Sequence, residues 1–252
     1  MNNKFKMTVP QNIAFAKRNL VDSIYNSARL EGLNVTFPET YTILEKAKMQ
    51  NVDISTVSTI LNLKHAWQFL LKNIKEPITL DFIKDLHYEI AKDEALAWGE
   101  LRTGRVGIGG TDYVPPIPEE NETKTKLSSF EQIDNTTERA IERMLWMMKA
   151  QLFWDGNKRT ASLIANKDLI SHGNGILTIS EKDILEFNTL LSDFYSTDQK
   201  GKLKEMIYDK GISGVELKEK QLPSYDEMKK RAQGKLQASK DEDTREQNNL
   251  ER

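Results

Sequence analysis

The chain has 252 residues, no cysteine, and 36 Lys and Arg against 38 Asp and Glu, for a formal net charge of −2. That length suits one large domain with an appendage, and the composition excludes disulfides, thiolate metal sites and cysteine nucleophiles. It also excludes a global cationic field, so nucleic acid is not an expected partner.

Helical periodicity dominates in chain order. Asn12 to Glu31 carries Ile13, Phe15, Ala16, Leu20, Ile24 and Ala28 at 3–4 spacing, which predicts one helix stopped by Gly32 and Asn34. Pro38 to Lys48 reads as a second helix opened by proline in its first turn. Ser55 to Asn73 is long and amphipathic, and Thr79 caps a further helix running through Ala91.

The pattern then changes. Between Leu101 and Pro116, Gly104, Gly107, Gly109 and Gly110 interleave with Val106, Ile108, Tyr113 and Val114, which predicts a short β-hairpin turning at Gly109-Gly110. Helices resume at Asn121 to Phe130, Asn135 to Leu152 and Asn157 to Ser171, the last closed by Gly173 and Gly175. Ser180 caps a helix to Tyr195, and Lys200 to Gly211 is the last packed one. The fold class is therefore all-α with one small β-hairpin. Residues 1–52 form an N-terminal helical segment, 53–214 the core, and 215–252 a polar tail, either disordered or a solvated helix.

No run approaches the roughly 20 apolar residues of a membrane span, and the polar start, Met1 to Lys6, has no apolar stretch behind it. Neither a membrane nor a secretory route is expected, and the location is expected to be cytoplasmic. His65, His87 and His172 are never three or four apart, which excludes a histidine-pair zinc motif on one helix. His65 and His87 read as structural or surface groups, and His172 as a helix-end cap. Glu142 and Arg143 read as exposed partners of neighbouring charges, and Trp67, Trp98, Trp146 and Trp154 as packing residues.

The chemistry concentrates in Phe153-Trp154-Asp155-Gly156-Asn157-Lys158-Arg159. An apolar helix ends, a tight turn follows, and a new helix begins. The N–H groups and positive dipole end of a helix start attract anions, and Lys158 and Arg159 add charge there. Gly156 lets the backbone come close to a ligand. Asp155 beside a phosphate site supplies the single carboxylate that Mg²⁺ uses together with phosphate oxygens. The same residues also spell an ordinary Asx cap followed by solvated cations, and the pentapeptide alone leaves both readings open.

The wider segment resembles the signature of the Fic family, H-x-F-x-[D/E]-G-N-x-R, with Gln151, Phe153, Asp155, Gly156, Asn157 and Arg159 at its six specified positions. Five agree, and Gln151 stands where the family has histidine. Leu101 to Pro116 resembles the family's flap over the active site. Ser27-Ala28-Arg29-Leu30-Glu31-Gly32 resembles its inhibitory helix motif, [S/T]-x-x-x-E-[G/N], placed upstream of the core. The resemblance covers residues 10–213 and is of bacterial type.

It implies a helical core and adenylyl transfer from ATP to a protein hydroxyl, with ATP and Mg²⁺ as cofactors. It also implies roles: Asp155 as metal ligand, Gly156, Asn157, Lys158 and Arg159 as the nucleotide cradle, Phe153 as loop anchor, and Ser27 and Glu31 as inhibitory residues. Val106, Ile108 and Tyr113 would form a flap that pairs with a protein target or regulatory partner through its backbone. Tyr113 either stacks on adenine or holds the hairpin tip.

Three departures bear on activity. Gln151 has no pKa near neutrality and cannot serve as the family's base, so catalysis is expected to be impaired. Lys158 replaces a glycine of the commonest form, as in the death-on-curing branch, which transfers phosphate from ATP bound in reverse. Ser162 stands where many members carry a second arginine, which leaves Glu31 to meet Lys158 or Arg159, or to remain as packing. A protein-interaction module without catalysis and a phosphotransferase are the alternative functions.

Overall fold

A computed structural model describes residues 1–47 and 52–216, so the polar tail expected from residue 215 lies almost entirely outside the described residues. The architecture is helical. Three N-terminal helices come first: α1 (Val9–Arg18), α2 (Leu20–Leu30) and α3 (Phe37–Lys46). Two longer helices follow, α4 (Ile54–Lys72) and α5 (Leu80–Ala91), and then the central set of α6 (Glu120–Ser129), α7 (Thr136–Ala150) and α8 (Asn157–Ser171). After these come α9 (Ile184–Thr197) and α10 (Gly201–Met206), the latter running into a π-helical turn at Ile207–Gly211.

Local signals explain most boundaries. Thr8 with Gln11, and Thr36 with Glu39, form capping boxes that open α1 and α3. Thr79 accepts from the Phe82 N–H at 3.1 Å and opens α5, as expected. The single helix expected from Asn12 to Glu31 is instead two. Asn19 interrupts it by turning its own amide onto the Phe15 carbonyl at 2.8 Å, in competition with the helical ladder.

Helix α8 is central and buried nearly all round, as a helix without a solvent face must be. Its buried Asn166, Lys167 and Asp168 are consequently all engaged. Asn166 bonds both backbone groups of Leu177 at 2.8 Å. Lys167 donates to the Asn73 carbonyl at 2.7 Å, and Asp168 pairs with Arg139 at 2.8 Å and Arg143 at 2.5 Å. Arg143, expected on the surface, is only 1 % exposed, because Asp168 and Glu131 neutralise it inside the fold. Glu142 likewise lies half-buried between Lys200 and Lys204.

The one sheet among the described residues joins β1 (Ile176–Leu177) to β2 (Ile212–Ser213) in antiparallel register, Ile176 opposite Ser213. The expected hairpin over residues 101–116 forms no strand pair. Its turn at Gly109-Gly110 is present, but the two arms are not laddered to each other.

The chain's start is sewn to later segments. The Met7 N–H donates to the Gly173 carbonyl at 2.8 Å, Asn12 exchanges bonds with Gly175 at 2.7 and 3.0 Å, and Lys4 reaches the Tyr208 carbonyl at 2.9 Å. No helix among the described residues is long and apolar enough to cross a membrane.

Candidate active site

The site grows from the turn between α7 and α8. Helix α7 ends at Gln151, which adopts a left-handed conformation (φ 46°, ψ 62°), a normal way to stop a helix though a strained one for a side-chain residue. Its amide is engaged at both ends: Nε2 donates to the Met148 carbonyl at 2.7 Å, and Oε1 accepts from Asn157 Nδ2 at 3.1 Å. Asn157 also brackets Phe153, accepting its N–H at 2.9 Å and donating to its carbonyl at 2.8 Å. The Asn157 side chain is thus a lock for the loop.

Phe153 is 1 % exposed and stacks on His87, with ring centroids 3.7 Å apart and planes 7° from parallel. His87 in turn props the loop. Its Nδ1 accepts from the Gly99 N–H at 2.9 Å, which leaves the proton on Nε2 to donate to the Asp155 carbonyl at 2.9 Å. Burial lowers the His87 pKa to about 4, since a charged ring would lose its water and face the Gly99 donor with a second proton. Sequence reading left His87 as a structural or surface group, and it is buried. That reading missed the loop-supporting role, because both partners are distant in sequence.

Gly156 has φ 70°, and a Cβ there would sit 3.2 Å from Ile90 and 3.5 Å from His87. Glycine is thus demanded by the left-handed turn and by packing on α5. Helix α8 then starts without a side-chain cap. Its first ladder bond runs from the Thr160 N–H to the Gly156 carbonyl at 2.9 Å, so the N–H groups ahead of it have no partner in the helix. Beside them Asp155 keeps its carboxylate 58 % exposed, with one oxygen accepting from the Gly156 N–H at 2.6 Å.

These groups open on a cavity of about 530 Å³. The loop contributes Gln151, Asp155, Asn157 and Lys158, the flap contributes Gly107, Ile108 and Gly109, and Glu31 and Tyr195 close the far side. Tyr195 is nearly buried, and burial, helped by the Glu31 charge, raises its pKa and keeps its phenol protonated. Lys158 donates to the Leu30 carbonyl at the end of α2 at 3.3 Å and stands 3.9 Å from Glu31. A cation there suits the negative end of that helix. Glu31 Oε1 is buried with no hydrogen-bond partner among the described residues.

Arg159 is 4 % exposed and does not itself line the cavity, but its guanidinium stands 3.8 Å from the Asp155 carboxylate while pairing with Glu94 at 2.7 Å and reaching the Ile90 carbonyl at 3.3 Å. Three other expected residues do not line the cavity. Ser27 lines a separate small cleft with Ser162. Val106 is half-buried and lines neither space. Tyr113 lies beneath Lys149, whose ammonium is 4.9 Å from its ring centroid, and not over the loop.

One organising residue was missed altogether. Arg102 is 1 % exposed and has no carboxylate partner among the described residues. Its guanidinium donates to the carbonyls of Gln151, Gly104 and Pro116, each at 2.5 Å. Longer contacts reach Pro115 at 3.3 Å and Ala150 at 3.4 Å. It therefore ties both ends of the flap to the end of α7, doing the work expected of a strand ladder. Only a planar fork with five donors spans such a set.

Among the described residues no cluster of three or more His, Asp or Glu is placed to hold a metal ion. Asp155 is the exposed carboxylate at the loop, which fits a cation shared with the oxygens of a bound phosphate.

Residues 77–169 match the model of the Fic/DOC family. Among solved structures, Fic-1 (residues 134–508) from C. elegans is 21 % identical with a TM-score of 0.64, over 77 % of this chain and 60 % of that one. A Fic domain containing signaling protein from Bacteroides thetaiotaomicron is 22 % identical with a TM-score of 0.59, over 75 % of each chain. A Fic family protein from Desulfovibrio desulfuricans is 13 % identical with a TM-score of 0.64, over 76 % of this chain and 61 % of that one. At these identities the likeness is one of fold, and the chain spans about three fifths of the nematode structure's length. No curated protein matches the chain. The matched residues run from the turn before α5 through most of α8, and with the shared helical fold they support a Fic/DOC family domain over residues 77–169.

Proposed function

We propose that the chain binds a Mg²⁺–nucleotide in the cavity at the start of α8, on a scaffold of the adenylyl-transfer type whose transfer step is impaired. The observation that carries this reading is the uncapped N-terminus of α8 opening beside the exposed carboxylate of Asp155. Backbone N–H groups there suit phosphate oxygens, and the helix dipole favours their charge. Asp155 would hold the magnesium ion, which when bound offsets phosphate charge and polarises the phosphorus centre.

Impairment follows from Gln151. An amide takes no proton near neutral pH, and both ends of this one are already bonded within the loop. A protein target would lie along the backbone of the flap at Gly107 to Gly109, which borders the same cavity.

Isothermal titration with ATP, with and without magnesium, tests the reading. Wild type is expected to bind with a micromolar to millimolar Kd, and Asp155→Ala to lose the magnesium dependence. Absence of heat at millimolar ATP would favour the second reading, a protein-interaction module. That alternative draws on the Glu94 carboxylate, which already pairs with Arg159 at 2.7 Å.

A further inference from the structure

The buried guanidinium of Arg159 lies between two carboxylates and is bonded to only one of them. Of its side-chain nitrogens, only Nη1 makes hydrogen bonds among the described residues, to Glu94 at 2.7 Å and to the Ile90 carbonyl at 3.3 Å. Nε is buried with no partner among the described residues, and Nη2 stands 3.8 Å from the Asp155 carboxylate. A buried guanidinium with idle donors gains by closing on a second carboxylate. Asp155 is one helical turn back along the chain, yet the short bond goes to Glu94.

The loop after α5 explains the choice. Asp93 turns the chain with φ 61°, and the Glu94 N–H donates to the Ala91 carbonyl at 3.0 Å, which folds Glu94 back over the end of α5. Asn62 on α4 then fixes the carboxylate: its amide donates to Glu94 Oε1 at 2.8 Å and to the Lys92 carbonyl at 2.8 Å. The Glu94 side chain is 14 % exposed against 58 % for Asp155. The shielded, preorganised carboxylate holds the guanidinium more strongly, because less water screens the pair. Asp155 keeps the Gly156 N–H at 2.6 Å and an exposed carboxylate. A guanidinium closed onto Asp155 would repel a divalent ion and occupy the oxygens that would hold it.

We propose that Glu94 is a positioning residue, which keeps the Arg159 guanidinium off Asp155 and so leaves that carboxylate open to a divalent cation. The cation's part in this rests on the nucleotide reading above, whereas the hold on Arg159 does not. Two measurements on the full chain separate them. In thermal melts without ligand, Asp155→Asn is expected to lower Tm by about 2–4 °C more in Glu94→Gln than in the otherwise unchanged protein, since Asp155 has become the carboxylate partner of Arg159. In titrations with ATP, the affinity gained on replacing EDTA by magnesium is expected to fall about tenfold in Glu94→Gln. ATP in EDTA is expected to bind that variant no more weakly than wild type, because a negative charge near the site has gone; a merely structural loss would weaken both. Asn62→Ala frees Glu94 without removing its charge and is expected to move both readouts the same way by less, so the test survives if Glu94→Gln does not fold. Equal effects of Asp155→Asn in the two backgrounds overturn the proposal. So does an unchanged magnesium gain where wild type and variant both bind ATP. A wild type that binds no ATP, with the melts as expected, overturns the nucleotide reading and supports the hold of Glu94 on Arg159.

Discussion

At the scale of single residues, Gln151 and His87 flank one loop. Under the proposed function Gln151 stands where a base would act, so Gln151→His supplies an imidazole at that left-handed helix end. The variant is expected to gain transfer activity on the order of 10²–10⁴ over wild type. ATP labelled at the α- or the γ-phosphate identifies the group moved, with α-label expected for adenylyl transfer. γ-Label alone would point to the reversed pose associated with Lys158.

His87 must stay neutral to accept from Gly99. Its folded pKa of about 4 lies below the ordinary value of 6.5, so the unfolded chain binds the extra proton first as pH falls. Stability conferred by this residue is therefore full above pH 6.5 and is lost between there and pH 4, up to about 3 kcal/mol. Thermal melts from pH 8 to 5 are expected to fall more steeply for wild type than for His87→Gln. Equal slopes would remove His87 as the cause.

At the scale of elements, the boundaries of α8 were legible, because Gly156 precedes Asn157 and Gly173 follows the last apolar residue, and those signals act locally. The helix expected over residues 12–31 was misread for a reason just as local but weaker in sequence. Nothing in the letter Asn announces that Asn19 will bond Phe15 rather than solvent. The flap was misread because alternating glycines and apolar residues describe any extended segment, whether a ladder or a distant side chain holds it. Here the holder is Arg102, whose partners lie up to 49 positions away. Arg102→Met is expected to release the flap and speed tryptic cleavage at the exposed Arg105 by about tenfold, through local opening. Arg102→Lys should fail to restore protection, since one ammonium cannot reach all three carbonyls. Unchanged cleavage in Arg102→Met would show that the flap holds itself.

At the scale of the whole molecule, the helical class was legible, whereas the closure of the fold on itself was not. The strands at Ile176 and Ile212 are two residues each and show no periodicity to read. The stitching of residues 4–12 to the segments around Gly173 and Tyr208 depends on bonds between remote positions. Gly173 carries this closure: its φ is 75°, and a Cβ would fall 1.8 Å from the Met7 carbonyl oxygen. Gly173→Ala is expected to cost about 2–4 kcal/mol by urea denaturation, from left-handed strain and from displacement of the N-terminal segment. A variant as stable as wild type would mean that the first residues dock loosely.

The Arg102 fastening also has a meaning for how such a molecule changes over generations. It grips main-chain oxygens at the two ends of the flap and asks nothing of the side chains between Arg105 and Val114. The exposed residues among them can be rewritten while their frame stays in register, whereas Ile108 and Tyr113, packed on the core, and Thr111, bonded to Ser196, hold their places. A new recognition loop grafted there inherits its seat over the cavity, and the molecule can exchange partners without relearning how to fold.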